Sequence, residues 1–258
     1  MAFEPGAARV IDSPEMLRTF ASAMRKTGRS VVLVPLSESW APQHVALVRA
    51  ARMVPRAVVV VVGDCPAEHA RELGVDALAA APAPPALSVR LDAPSLEPLE
   101  QRLSTLLHLL VLVNPHQVVL SERDFEFMLL TQRLISEYGF TTTVRGVPPT
   151  RSAAGVALQP ALAELSAEQI DRATVLSAAL LAATHRAEDG AAAVLDTARE
   201  ILSGMDVEYV ELRDARTFGP APERGEARLL VAATIDGVRL IDNVGVPVGI
   251  GFKNLSED

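Results

Sequence analysis

The sequence lacks most of the features that mark secreted, membrane-spanning or nucleic-acid-binding proteins. Its one cysteine, Cys65, cannot form an internal disulfide or a multi-cysteine metal site. No apolar run approaches the roughly 20 residues that span a bilayer, and the N-terminal stretch does not have the pattern of a secretory signal. The net charge of −8 gives no basic surface for nucleic acid. We therefore expect a soluble, cytoplasmic protein that binds neither a membrane nor nucleic acid.

The first half of the chain has the pattern of parallel βαβ units. Short apolar runs alternate with helical patterns, in a sequence that is 49% hydrophobic and 22% charged. Residues 30–36 and 56–64 are nearly all apolar, as strands covered on both faces should be. Further strands are predicted at 75–80, 117–121 and 140–147. Helices are predicted from Pro14 to about Lys26, after residue 44, and near 66–73, 94–113 and 123–138. This half is expected to form an open, mostly parallel sheet with helices on both faces.

The second half has a different pattern and predicts a second domain. Composition changes at residues 148–160, which we interpret as a linker between domains at 1–149 and 150–258. Two alanine-rich helices, about 167–187 and 189–203, precede strand candidates at 207–214, 227–235 and 238–246. Asp236-Gly237 between the last two strands is a strong signal for a two-residue hairpin. We expect a small α+β domain with an antiparallel sheet.

Several stretches resemble the pantothenate synthetase (pantoate–β-alanine ligase) family, part of the nucleotidylyltransferase superfamily with the His-x-Gly-His signature. They are "GRSVVLVP" followed by "HVALVRAAR", "SERDFEFMLLTQRL" (121–134), "RGVPPTRSAAGVAL" (145–158), "VEYVELRD" (207–214) and "ARLLVAATIDGVRLIDN" (227–243). The resemblance implies a Rossmann-like nucleotidylyltransferase domain, a smaller C-terminal lid domain and a homodimer. It also implies a reaction in which pantoate is joined to β-alanine through a pantoyl-adenylate made from ATP and magnesium.

The nucleotide-binding loop implied by this resemblance is altered. The family has Pro-Thr-Met-Gly-Ala-Leu-His-Glu-Gly-His where this chain has "PLSESWAPQH" (35–44). The two glycines correspond to Glu38 and Gln43 and the first histidine to Ala41, so only His44 is retained. A glycine lets phosphate approach a helix terminus, and Glu38 instead adds a carboxylate where polyphosphate would lie.

Other motifs of the family are also altered or missing in this chain. The second pantoate-binding glutamine corresponds to Phe127, and the Val-Asn-Pro-x-Gln-Phe stretch has no counterpart after residues 56–64. The lid motif Ser-Ser-Arg-Asn corresponds to "QPAL" (159–162). Losing the first signature histidine, the lid cation and the lid hydroxyls together would remove on the order of 10 kcal/mol of transition-state stabilisation by a simple sum, although such contributions are not additive.

Three retained residues are the candidates for any remaining chemistry. His44 is the inherited signature histidine, and Arg123 and Asp124 keep the charges of the family's Lys-Asp pair. Each also has a plainer interpretation. His44 would be a polar residue at a helix start, and Arg123 and Asp124 would be an exposed ion pair at the start of the next predicted helix.

Two further residues near the predicted strand ends need an explanation. Cys65 follows a buried strand at its C-terminal end, and His69, one helical turn later, would be its base in a thiol-based site. We interpret Cys65 as structural background. Trp40, the only tryptophan, either fills the vacated nucleotide cleft or lies at an interface.

Two classes of function follow. The first is a catalytically degenerate paralogue that acts as a binding, regulatory or partner subunit and needs no cofactor. It would form a homodimer or a heteromer with a genuine pantothenate synthetase. The second is an active, divergent ligase that uses ATP and magnesium to form an acyl-adenylate at His44, Arg123 and Asp124. We favour the first, because no replacement cluster offsets the missing groups.

Overall fold

Six parallel strands form one sheet in the first half of the chain, as expected from its continuous apolar runs. They are β1 (Arg9–Ile11), β2 (Ser30–Pro35), β3 (Ala57–Val62), β4 (Ala77–Ala79), β5 (Gln117–Ser121) and β6 (Thr143–Val147). Their order across the sheet is β1-β4-β3-β2-β5-β6. This computed structural model describes residues 3–92 and 95–250, and it contains two units, Met1–Pro148 and Pro149–Asp258.

Helices cover both faces of this sheet. They are α1 (Pro14–Lys26), α2 (Gln43–Arg52), α3 (Ala67–Glu72), α4 (Glu100–Val113) and α5 (Phe125–Glu137). Val32 and Val34 of β2 form an apolar cluster with Leu47 and Val48 of α2. The alternate residues of the same strand, Val31 and Leu33, are also fully buried. Since neighbouring strand residues point to opposite faces, burial of both sets confirms that the central strands are covered on both sides.

The helix boundaries follow local signals in the sequence. Ser13 caps α1 by accepting a hydrogen bond from the Met16 N–H at 3.2 Å, and Pro14 occupies the first helical position. A helix was predicted to begin at residue 94, which lies outside the described residues, but α4 begins at Glu100. Pro98 just before it explains the later start, because proline is tolerated only in the first turn of a helix.

One strand of the sheet is not predicted by the sequence pattern. β1 has three residues, of which only Ile11 is buried, and it pairs with β4 at the edge of the sheet. So short a strand has no measurable alternation of apolar and polar residues, which is why the pattern does not indicate it.

The second unit is an α+β structure with a three-stranded antiparallel sheet. Its helices are α6 (Ala167–Thr184) and α7 (Ala191–Ile201), and its strands are β7 (Asp206–Asp214), β8 (Gly225–Ile235) and β9 (Val238–Val248). The strands lie in the order β7-β8-β9. Ile235 pairs with Val238, so Asp236 and Gly237 form the predicted two-residue hairpin loop, both with positive φ. The predicted fold class is confirmed for both halves of the chain.

An ion pair with a buried carboxylate joins the start of the second unit to its sheet. Arg151 donates from both terminal nitrogens to Asp242, at 2.7 and 2.9 Å, and Asp242 is almost completely buried. Two parallel hydrogen bonds of this kind fix the positions of both side chains. No helix within the described residues is long and apolar enough to cross a membrane.

Candidate functional site

A cavity of about 370 Å³ lies at the carboxyl ends of β2 and β5. β3 and β4 follow β2 on one side of it in the sheet, whereas β5 and β6 lie on its other side. The direction in which successive strands are added therefore reverses between β2 and β5. Ligands of open α/β sheets bind at such a reversal. The cavity walls come from the loop at 36–42, the first turns of α2 and α5, and one side of α4.

Most of the wall is apolar. Large aliphatic and aromatic side chains from five elements or their ends contribute to it, namely Leu36, Leu47, Leu106, Leu109, Leu120 and Phe127. Small polar groups interrupt this surface at Ser37, Thr105 and Ser121. A concave, mainly apolar pocket with a few polar groups is the usual form of a small-molecule site.

His44 lines the cavity from the first turn of α2. Its Nδ1 accepts a hydrogen bond from the Ala41 N–H at 3.0 Å, and only 7% of the residue is exposed. Burial lowers the pKa of this imidazole, Glu38 raises it, and Arg123 lowers it. Since Nδ1 is an acceptor, the neutral ring carries its proton on Nε2. His44 is therefore suited to donate a hydrogen bond, and less suited to act as a cation.

Arg123 lies in the short 3-10 turn Glu122–Asp124 that joins β5 to α5. Its Nη2 donates to both carboxylate oxygens of Glu38, at 2.8 and 3.0 Å. The Arg123 side chain is 7% exposed. The interpretation of Arg123 and Asp124 as an exposed ion pair is therefore wrong for Arg123: it is buried, and its carboxylate partner comes from the loop at 36–42.

Asp124 has a different cationic partner, Arg102 of α4. The same Arg102 nitrogen also donates to the Ser37 hydroxyl at 3.3 Å, and its guanidinium lies 4.2 Å from the ring centroid of Phe127. The sequence did not predict Arg102, because nothing in the pattern of α4 shows which of its residues faces the cavity. The only local signal is Phe127, whose aromatic ring lies against this guanidinium.

The charged groups of the cavity neutralise one another. Among the described residues that line it, Arg102 and Arg123 carry positive charge, and each is paired with a lining carboxylate. Within residues 3–92 and 95–250, no group of three or more His, Cys, Asp or Glu side chains is placed to hold a metal ion. The site thus brings together all three predicted residues, His44, Arg123 and Asp124, in a wall of balanced charge.

Trp40 and Cys65 have structural positions beside this site. The Trp40 ring lies 5.6 Å from the His44 ring and stacks on His69 at 6.2 Å, with planes inclined by 19°. Trp40 is not one of the described residues that line the cavity, and its ring lies between contacts with His44 and His69. Burial raises the pKa of the Cys65 thiol to about 11, and Asp64 adds to the increase. A protonated thiol is a poor nucleophile, which supports a structural role for Cys65.

The sheet order, the cavity at its reversal point and the histidine at the start of α2 define a Rossmann-like nucleotidylyltransferase domain. The chain belongs to the pantoate-beta-alanine ligase family, whose model matches residues 102–245. It is 37% identical to pantothenate synthetase of Corynebacterium jeikeium, over 100% of this chain and 96% of the relative. It is 34% identical to the pantothenate synthetase of Mycobacterium avium, over 96% of this chain and 92% of that relative.

Solved structures of this family have the same fold. The crystal structure of pantothenate synthetase from Thermus thermophilus superposes with a TM-score of 0.80 at 26% identity, covering 92% of this chain and 98% of that one. The ligase from Francisella tularensis, complexed with beta-gamma ATP and beta-alanine, gives a TM-score of 0.71 at 19% identity, with 92% and 97% covered. The second likeness shows the fold alone.

Proposed function

We propose that this chain is a catalytically degenerate member of the pantothenate synthetase family that acts as a binding, regulatory or partner subunit in the context of pantothenate biosynthesis. The observation that carries the proposal is the pairing of both cavity arginines, Arg123 with Glu38 and Arg102 with Asp124. A triphosphate entering this cavity would meet no uncompensated positive charge and would lie against two carboxylates. The residues present therefore do not fit ATP with magnesium.

The altered loop supports the same proposal. The resemblance implies a glycine at position 38 and a histidine at position 41, where this chain has Glu38 and Ala41. Removing one preorganised donor to a transition state typically costs about 3 to 4 kcal/mol. His44 is the one signature residue left, and it lacks its usual partner. A scaffold that keeps a full-length fold without these groups is best explained by a role that does not require adenylation.

Thermal unfolding with and without ATP tests this proposal. A ligand that binds only the folded state at a concentration a hundredfold above its Kd stabilises it by about 2.7 kcal/mol. We expect millimolar ATP with magnesium to leave the melting temperature unchanged. A rise of several degrees that disappears in His44→Asn would contradict the proposal. Asn is the matched replacement, because its Oδ1 can accept the hydrogen bond that Nδ1 of His44 receives from Ala41.

One observation favours an active, divergent ligase as the second candidate. His44, Arg123 and Asp124 line a single cavity, in a chain 37% identical to a curated pantothenate synthetase along its whole length. In this alternative, His44 donates to a ligand oxygen, and Arg123 and Asp124 leave their present partners to hold ATP with magnesium. This second candidate predicts AMP release that depends on an acid and an amine, and the first predicts none.

We also propose a dimer, formed either with itself or with a genuine pantothenate synthetase of the same cell. We propose a cytoplasmic location for the protein, since its proposed partner acts in a biosynthetic pathway of the cell. The support is the resemblance alone: most apolar residues of 57–62 and 99–120 form the core of the first unit, although Val111 is 62% exposed. Light scattering of the protein purified from its native cell tests the proposal: a lone monomer with no synthetase bound to it would contradict it.

We propose further that the two halves are separate domains at 1–149 and 150–258. The support is the change in composition at residues 148–160 and the division of the chain into two units near residue 148. Limited proteolysis should cut first within 148–160 and leave two resistant fragments. First cuts inside either half would contradict the boundary.

A further inference from the structure

The two residues of the ion pair between Glu38 and Arg123 differ in burial. Arg123 is 7% exposed and is held in the 3-10 turn after β5, whereas 38% of the Glu38 side chain is exposed. Glu38 lies in the loop at 36–42, which has no helix or strand of its own. The pair thus joins an anchored cation to a carboxylate that has open solvent beside it.

The geometry of the pair also differs from a two-point salt bridge. One nitrogen of Arg123 contacts both oxygens of Glu38, at 2.8 and 3.0 Å. In the second unit, Arg151 and Asp242 use two nitrogens and two oxygens, the parallel arrangement that gives the strongest pairing. The contact at Glu38 pairs Arg123 through one nitrogen only, with a carboxylate that is 38% exposed.

We propose that Glu38 is the specificity-determining residue of the cavity: it is an anion supplied by the chain itself, which occupies Arg123 and excludes anionic ligands. A phosphate or carboxylate that entered would have to displace Glu38 and then lie beside its charge. With Glu38 in place, the cavity accepts uncharged, largely apolar molecules. This inference rests on the proposed function, because a cavity that excludes phosphates does not bind ATP.

Replacing Glu38 should convert the cavity into an anion site. The probe is inorganic pyrophosphate, titrated calorimetrically into the full-length protein. We expect Glu38→Ala to bind pyrophosphate at least about tenfold more tightly than the unaltered chain, since one charge-assisted hydrogen bond is regained and one repulsion removed. Glu38→Gln should gain less, because its amide oxygen still accepts from Arg123. The gain should disappear in the double variant Glu38→Ala with Arg123→Met.

A matched variant separates this local effect from overall charge. Glu137→Gln removes one negative charge at an exposed position near the end of α5, away from the residues that line the cavity. It should bind pyrophosphate no better than the unaltered chain. The inference is overturned if Glu38→Ala binds no more tightly than Glu137→Gln, or if its gain survives the loss of Arg123.

Chemical rescue gives a second measurement that does not depend on affinity for phosphate. Glu38→Ala removes the carboxylate that pairs with the buried Arg123, and removing one partner of a buried ion pair is destabilising. We expect acetate, compared with chloride at equal ionic strength, to raise the melting temperature of Glu38→Ala but not of Glu137→Gln. Absence of rescue would overturn the inference. AMP formation by the unaltered chain would instead contradict the proposed function, and the comparison of the Glu38 variants would still decide the role of Glu38.

Discussion

The Nδ1 atom of His44 accepts a hydrogen bond from the backbone N–H of Ala41 at 3.0 Å. The contact ties His44, in the first turn of α2, to the loop at 36–42. It also assigns the tautomer of the ring, because a nitrogen that accepts a hydrogen bond does not carry the proton.

His44 should remain neutral at pH values where an exposed histidine becomes charged. Burial is the largest cause of its lowered pKa. Because the folded pKa lies below the model-peptide value of 6.5, the unfolded chain takes up this proton first as the pH falls. The contribution of the neutral His44 ring to the free energy of unfolding is therefore complete above about pH 6.5, and it decreases as the pH falls below this value.

Two measurements check the state of His44. NMR titration of the ring nitrogens should show the Nε2-protonated tautomer and a midpoint below 6.5. The free energy of unfolding should decrease less between pH 7 and pH 5 in His44→Asn than in the unaltered protein. A midpoint above 6.5 would contradict the assignment.

Cys65 should react slowly with alkylating reagents in the folded protein. Its pKa of about 11 arises mainly from burial, with a further increase from Asp64. The ordinary pKa of a cysteine thiol is 9.0, so we expect alkylation by iodoacetamide at pH 8 to be roughly a hundredfold slower in the folded than in the urea-unfolded chain. Asp64→Asn should increase the folded rate, and His69→Ala should leave it unchanged. A rate that depends on His69 would restore the thiol-based site.

Gly63 should tolerate alanine less well than another glycine with positive φ. Its φ is +132°, and a Cβ placed there would lie 2.7 Å from the Cβ of Leu36, which lines the cavity. Gly139 has a φ of +70° and no heavy atom within 4 Å of the same position. We expect Gly139→Ala to cost about 1 kcal/mol from backbone strain alone, and Gly63→Ala to cost at least about 2 kcal/mol. Equal losses in urea denaturation would show that the loop moves away without cost.

The ion pair of Arg151 with Asp242 should stabilise the second unit more than an exposed pair does. Asp242 is 3% exposed and Arg151 34%, whereas Arg172 and Asp236 are 57% and 46% exposed. Arg151→Met leaves a buried carboxylate without its cation, so we expect a loss of about 2 kcal/mol, reduced from fully buried cases by the exposure of Arg151. Arg172→Met should cost less than about 1 kcal/mol. The opposite ranking in urea denaturation would contradict this assignment.

The fold was predictable from the sequence because its signals are local. The continuous apolar residues of β3 and the Asp236-Gly237 turn each indicate an element without reference to the rest of the chain. β1 was not predictable, because three edge residues with one buried side chain carry no periodic signal. The pattern around His44 also predicts the start of α2, which begins at Gln43.

The charge balance of the cavity was not predictable from the sequence. Glu38 and Arg123 lie 85 positions apart, and Arg102 and Asp124 lie 22 apart. Each pair depends on how the loop at 36–42 or helix α4 packs at the carboxyl ends of the strands. Residue spacing in the sequence does not encode this packing. The sequence indicated that Glu38 would oppose a polyphosphate, but only the structure shows that it does so by occupying Arg123.

The most direct test is an assay for AMP formation by the isolated protein supplied with ATP, magnesium, pantoate and β-alanine. The matched control is His44→Asn, which keeps the acceptor for the Ala41 N–H and removes the imidazole. A catalytically degenerate chain should release no more AMP than this variant and should form no pantothenate. Sustained AMP release together with pantothenate, lost in His44→Asn, would contradict the account and identify the protein as an active ligase.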